Sequence, residues 1–369
     1  MIESISYSLL KANETSLYQF KKILYIGEIV SDSHSELIKL FKNADIFNFN
    51  TDVAILNSFP VKFICFDLII INKINLTQLE NIISRFKFRY ISVIGSQINS
   101  DALSSNTDRI DIEHDIYIYK SKIKYYDLFM PIGPSDYIIA ESSLANKYQK
   151  LPDIREIFYC ASEDLNLNAT YISENSFPFC LAQVQLKLGH DSERAGWYYA
   201  QLKEMYIHKA VPWILDDHLS VNADVFFNKT VNFFDGTKTI FTYGHENPHS
   251  PYFYHMKQLL PQLQCFDGRS AISMHAMFNR QLLQNLFWDV EKNTGEEFWV
   301  SFLTKIHPDH KLLSGAAEYE IYFNYLRMKN IQVITREPNY FNTGNFQTGI
   351  DSPLDYFAYH WYIRSDINI

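Results

Sequence analysis

The sequence predicts a mixed α/β protein in two parts, and three observations carry that prediction. Apolar runs of strand length alternate with stretches of helical spacing, the pattern of a mostly parallel sheet flanked by helices. The pattern lapses over residues 96–124, first polar and then weakly alternating, and starts afresh at Tyr126. Hydrophobic residues make up 47% and charged residues 20% of a 369-residue chain, a balance that gives a folded protein with room for two cores. A smaller α/β domain over 1–122 and a larger one over 123–369 follow from this.

In the first part, Lys22–Gly27, Ala44–Phe49, Phe63–Ile71 and Tyr90–Gly95 read as buried strands. Ser33–Lys42 and Leu76–Phe86 have helical spacing between them. Gly27 ends its strand as a nucleotide-binding turn would, yet it stands alone, without the further glycines that let backbone amides approach a pyrophosphate. The region therefore reads as an accessory, Rossmann-like domain, its glycine a turn residue.

The second part opens with Tyr126–Met130, an apolar strand ended by Pro131, Ile132, Gly133 and Pro134. A helix over Tyr137–Gln149 and a strand over Ile154–Cys160 complete a second β-α-β beginning. Ligands favour the carboxyl ends of such strands, so the loop from Pro131 to Asp136 is a candidate seat for a nucleotide base. Arg194–Tyr206 reads as a helix with Arg194, Trp197 and Gln201 near one face; Arg194 and Lys203 could meet phosphates. Thr239–Tyr243 and Ala271–Phe278 read as strands. Arg280–Lys292 is an amphipathic helix with Leu282, Leu283, Leu286 and Phe287 on its apolar side, and a last helix opens at Ser314–Glu318.

Composition excludes several classes. A net charge of −9 leaves no basic footprint for general nucleic-acid binding. No apolar run reaches the roughly 20 residues that span a bilayer, and the amino terminus lacks a basic segment followed by an apolar block, so a cytoplasmic chain is expected. Cys65, Cys160, Cys180 and Cys265 form no CxxC and read as buried reduced thiols.

Chemistry concentrates around Trp213–Leu215, an apolar run broken by Asp216, Asp217 and His218. Carboxylates at the end of a core strand call for a cation or a polar ligand. Asp216 and His218 point the same way on an extended chain and could ligate Mn²⁺ or Mg²⁺ carrying a nucleotide diphosphate, with Asp217 beside them. The plain alternative is a polar turn. His245, His249 and His255 lie in an aromatic stretch, where a metal-dependent hydrolase or an acceptor-sugar loop could use them. Glu318 and Glu320 sit in the first turn of a helix, which itself favours acids; a cleft-facing general base is the functional alternative.

Four blocks in order resemble a family of predicted bacterial polysaccharide glycosyltransferases of unknown function with a GT-A-like fold, over about residues 126–369. They are Gly196–Gln201; Ile214–His218 with Phe226–Phe227 and Phe233–Gly236; His275–Arg280 with Glu296–Trp299; and Ala317–Tyr322. The resemblance implies sugar transfer from a nucleotide-diphosphate donor, a UDP-sugar first, to a glycan or lipid-linked glycan acceptor in O-antigen or capsule assembly, by an enzyme peripheral at the inner membrane. It would place Asp216 on ribose or metal and His218 as second ligand; for the base of an inverting reaction Glu318 is the first candidate here, then Glu320, then Asp267. A non-catalytic nucleotide-sugar or glycan-binding module is the other class it leaves open.

Overall fold

The computed structural model describes residues 22–26, 44–49, 65–72, 82, 86–94, 107–113, 116–189 and 193–365. They belong to two compact units, Met1–Tyr125 with Asp153–Glu156, and Tyr126–Pro152 with Ile157–Ile369.

The first unit is built on a six-stranded sheet of order β2-β1-β3-β4-β6-β5. Its strands are β1 Lys22–Ile26, β2 Asp45–Phe49, β3 Cys65–Asn72, β4 Lys87–Ile94, β5 Thr107–Glu113 and β6 Ile116–Ser121. The pairs β1–β2, β1–β3 and β3–β4 are parallel, while β6 runs antiparallel to β4 and to β5. Ile23–Ile26 and Leu68–Ile71 are buried throughout, as continuous apolar runs are in a parallel sheet covered on both faces. Asp67 interrupts β3 because Arg89 pairs with it at 3.1 Å and the Lys22 N–H donates to it at 3.0 Å. The helix expected over 33–42 lies outside the described residues, as does most of the one over 76–86. The weak alternation before Lys124 is the β5–β6 hairpin.

The second unit has a five-stranded sheet of order β14-β10-β7-β8-β9. Its members are β7 Tyr126–Pro131, β8 Ile154–Cys160, β9 Thr170–Tyr171, β10 Asp217–Val221 and β14 His275–Asn279. β10 lies parallel to β7 and antiparallel to β14. A smaller sheet joins β11 Val225–Phe227, β17 Tyr356–Tyr359 and β16 Tyr340–Thr343, in that order. A third joins β12 Phe234–Asp235, β13 Lys238–Thr242 and β15 Ile334–Arg336.

Eight helices are described: α1 Ala140–Lys150, α2 Leu181–Leu188, α3 Glu193–Ala210, α4 Ser250–Leu259, α5 Arg280–Thr294, α6 Phe298–Thr304, α7 Glu318–Met328 and α8 Phe346–Ile350. The main core gathers the apolar faces of α3, α5, α6 and α7 around Phe129 and Phe278 of the sheet. α5 starts where Asn279 accepts the Leu282 N–H and buries Leu283, Leu286, Phe287 and Val290. Leu282, one step off that stripe, is half-buried.

One strand differs from expectation in a way that moves the site. The apolar run Trp213–Leu215 is a turn, and β10 begins at Asp217. The turn is pinned from both sides: the Leu215 N–H donates to Asp127 Oδ2 at 2.7 Å, and Arg280 Nη1 donates to the Pro212 carbonyl at 3.0 Å. Asp216 and Asp217 therefore stand at the amino end of the strand. Its carboxyl end delivers Asn222, Ala223 and Asp224.

Candidate functional site

The parallel strands β7 and β10 end beside one another, the position from which α/β sheets present their ligands. After β7, Ile132 is held by its N–H to the Cys160 carbonyl at 2.9 Å, and a 3-10 helix over Pro134–Ile139 brings Asp136 forward. After β10, Asn222–Val225 forms a turn closed by the Val225 N–H on the Asn222 carbonyl at 3.2 Å. Asp224 occupies that turn. α1 fixes the segment through three side chains on one helix face. Ser143 Oγ donates to the Ala223 carbonyl at 2.5 Å, Lys147 Nζ to the Val225 carbonyl at 2.8 Å, and Asn146 bonds both backbone groups of Phe227.

The carboxyl terminus supplies the rest. The Tyr359 N–H donates to the Asp224 carbonyl at 2.7 Å, which places His360 Nδ1 2.7 Å from Asp224 Oδ2. Arg364 continues the same wall, with Nη1 on the Ser135 carbonyl at 2.7 Å and Nη2 on Asp136 Oδ1 at 2.5 Å. The buried Asp224 thus meets an imidazole and the half-buried Asp136 a guanidinium, with the buried Lys147 ammonium nearby. Burial, and then the charge of Asp224, push the Asp136 carboxyl up to about 6, against Arg364 and His360. Burial lowers Lys147 to about 7, against the pull of Asp224 and Asp136.

Asp224 Oδ1 is left buried without a hydrogen-bond partner. A carboxylate oxygen in that state is costly unless something is bound to it. A carboxylate, an imidazole and the neighbouring Asn222 amide are donor types that suit Mn²⁺. Among the described residues no three His, Cys, Asp or Glu side chains group to hold an ion by themselves. A cation here would complete its shell with oxygens of its ligand, the usual arrangement for a metal-borne diphosphate.

The residues singled out from sequence fall in several places. Pro131 and Ile132 lie at this sheet end. Asp216 and His218 do not: about 13 Å of strand separates the two ends of β10. Asp216 is exposed and sits 3.3 Å from Arg280 Nε, Asp217 accepts from Asn279 Nδ2 at 2.8 Å, and His218 is fully buried against Phe278. Burial lowers the His218 pKa to about 4, so it is neutral inside the sheet.

Arg194 stacks on Trp197 at 3.6 Å and bonds the Leu313 carbonyl and Ser314 Oγ. Lys203 pairs with Glu174 at 2.7 Å. Both cations are thus committed to protein partners. Gln201 Oε1 accepts the Glu318 N–H at 3.2 Å, and its Nε2 is buried without a partner.

The three acids expected to compete for a base role separate clearly. Glu320 accepts from Ser270 Oγ and the Ala271 N–H, each at 2.9 Å, and from Asn324 Nδ2 at 3.1 Å. Asp267 accepts from Tyr243 OH at 2.7 Å and Arg327 Nε at 3.0 Å. Both are structural acceptors. Glu318 has its carboxyl buried near Glu204, and no side chain among the described residues donates to it.

The three histidines do not converge on a metal. His245 bonds the Tyr340 carbonyl at 2.8 Å, His249 the Ser314 carbonyl at 3.1 Å and His255 the Phe302 carbonyl at 2.8 Å. The cysteines are free: Cys65 and Cys160 are buried as expected, Cys180 is exposed and Cys265 half-buried.

Asn222, Asp224, His360 and Arg364 were not singled out from the sequence, whereas Asp136 was, as the end of the Pro131–Asp136 loop. The signal was there in Leu219–Asp224, an apolar strand ending Asn-x-Asp, but the adjacent Asp216-Asp217 pair outshone it. No family model matches the chain, and no curated protein does. Among solved structures, mouse xyloside xylosyltransferase 1 in its apo form aligns over 64% of this chain and 97% of that one, at 9% identity and a TM-score of 0.34. A likeness this slight leaves the assignment of function to the side chains themselves.

Proposed function

We propose that this chain transfers a sugar from a nucleotide-diphosphate donor to a glycan acceptor, with the donor diphosphate and its Mn²⁺ held by Asn222, Asp224 and His360. The observation that carries this reading is the buried, unpartnered Asp224 Oδ1 beside His360, at the carboxyl ends of two parallel strands. The bound cation would offset charge developing on the leaving diphosphate. Arg364 and Asp136 fix the loop after β7, which is the seat for the base. This arrangement replaces Asp216 and His218 as the donor ligands.

A depression of about 330 Å³ lined by His245, Glu246, Met274, Tyr340, Phe341 and Asn342 suits one sugar ring of the acceptor. It belongs to the same small sheet as Asp224. Val225 pairs with Ala358 and Ala358 with Asn342, so two strand spacings, about 10 Å, separate the two positions. Aromatic walls with an acid and an amide are what a polyhydroxylated ring requires. A UDP-sugar, a lipid-linked glycan acceptor and an inverting displacement are the simplest form of this reading.

Thermal-shift titration with UDP-sugars and other nucleotide sugars, with and without Mn²⁺, tests it. A Mn²⁺-dependent rise in Tm with at least one donor is expected. No shift with any nucleotide sugar or free nucleoside diphosphate would remove the reading.

A further inference from the structure

Below β10, three elements bring two acids together, and among the described residues no free cation joins them. Glu204 of α3 and Glu318 of α7 are buried, at 3% and 7% exposure. Glu204 Oε2 accepts from Ser220 Oγ of β10 at 2.7 Å and from Tyr319 OH of α7 at 2.8 Å. Lys203, whose charge acts on Glu204, has its Nζ bonded to Glu174 at 2.7 Å. From α4, Tyr252 faces Glu318, and the charges of Glu246 and Arg194 act on that same Tyr252. Arg194 is held by the Leu313 carbonyl and Ser314.

Two carboxylates this desolvated do not both ionise at neutral pH. The donors decide which one does: two hydroxyls stabilise a charge on Glu204, whereas Glu318 has only its own backbone N–H. We infer that above pH 7 the pair carries a single negative charge, with Glu204 the anion and Glu318 a neutral acid that can donate a hydrogen bond to a ligand but not take up its proton. The charge state stands on the packing of α3, α7 and β10; only the ligand's identity rests on the transfer reading above.

Burial, and then the charge of Glu204, drive the Glu318 carboxyl far above the usual carboxylate range. Burial raises Glu204 too, but its bonds from Ser220 and Tyr319 and the charge of Lys203 oppose the rise. Glu204 is then a positioning residue that keeps Glu318 protonated. The role reverses the one expected from sequence, because a neutral acid offers a proton to a ligand oxygen instead of taking one.

The test counts the proton in the full chain without any substrate. Glu318 ionises near 4.5 in the unfolded chain and far higher in the fold, so wild type releases the Glu318 proton on unfolding above pH 5, in addition to that of Glu204, which burial raises to about 7. Its stability falls as pH rises, and Glu318→Gln, which mimics the neutral acid, removes that slope. Urea unfolding between pH 5 and 7.5 should therefore show Glu318→Gln gaining on wild type tenfold per pH unit in its unfolding constant. At pH 7.5 it should be at least as stable as wild type, whereas Glu204→Gln, which strips Ser220 and Tyr319 of their anionic acceptor, should be destabilised. A pH-independent ratio would show that both acids are ionised in the fold. The reverse order of the two variants would put the proton on Glu204. Either result overturns the inference and leaves the transfer reading to its own titration.

Discussion

Asp216 is 59% exposed on its side chain and meets Arg280 at 3.3 Å from open solvent. Surface pairs of this kind contribute roughly 0–1 kcal/mol. Asp216→Ala should therefore change stability by less than about 1 kcal/mol in urea unfolding, and it should leave nucleotide binding at wild-type strength. His255 behaves oppositely. Its imidazole is buried on the Phe302 carbonyl and titrates near 4 in place of 6.5. The unfolded chain takes up a proton below pH 6.5 that the fold refuses, so this part of the stability is lost as pH falls from 6.5 toward 4. Each pH unit in that window is worth about 1.4 kcal/mol. His255→Gln, neutral throughout, should gain on wild type between pH 6.5 and 5; a constant difference between the two would refute the assignment. Neither fate was legible locally. Asp216-Asp217-His218 and Asn222-Ala223-Asp224 are both polar breaks beside apolar runs, and the β10–β14 register decides which of them lies at the strand's carboxyl end.

At the scale of elements, the apolar runs exposed the strands of the parallel cores, β8 to the residue and β1 and β7 nearly so. They did so because buried parallel strands are written as continuous apolar runs. β10 was read too early, at Trp213–Leu215, and the short strands of the small sheets were not exposed. β16 and β17 are four residues each and carry mixed side chains, yet they bring His360 to Asp224 and Arg364 to Asp136. Long-range pairing, not local propensity, makes them strands. Two predictions belong here. Asn146 satisfies both backbone groups of Phe227, so Asn146→Ala should cost about 2 kcal/mol of stability in denaturant unfolding. Gly344 lies against the backbone of the carboxyl-terminal segment, and a Cβ there would run into the Ile363 carbonyl. Gly344→Ala should push His360 away from Asp224 and Arg364 away from Asp136, and weaken nucleotide binding at least tenfold. Unaltered binding would show that the segment does not form the site's wall.

For the molecule as a whole, the described residues fall into two compact units that divide near the lapse and restart of pattern. The proposed donor site was not legible there, since it draws on a few side chains that the fold collects from residues 136, 222–224 and 360–364. No helix among the described residues is long and apolar enough to cross a membrane. The central claim is that a nucleotide diphosphate and its cation bind at Asp224, at the carboxyl end of β10, and not at Asp216. Calorimetric titration of UDP with Mn²⁺ into wild type, Asp224→Ala and Asp216→Ala tests it most directly. The expected result is binding to wild type and Asp216→Ala and at least tenfold weaker binding to Asp224→Ala. Binding retained by Asp224→Ala and lost by Asp216→Ala would contradict it.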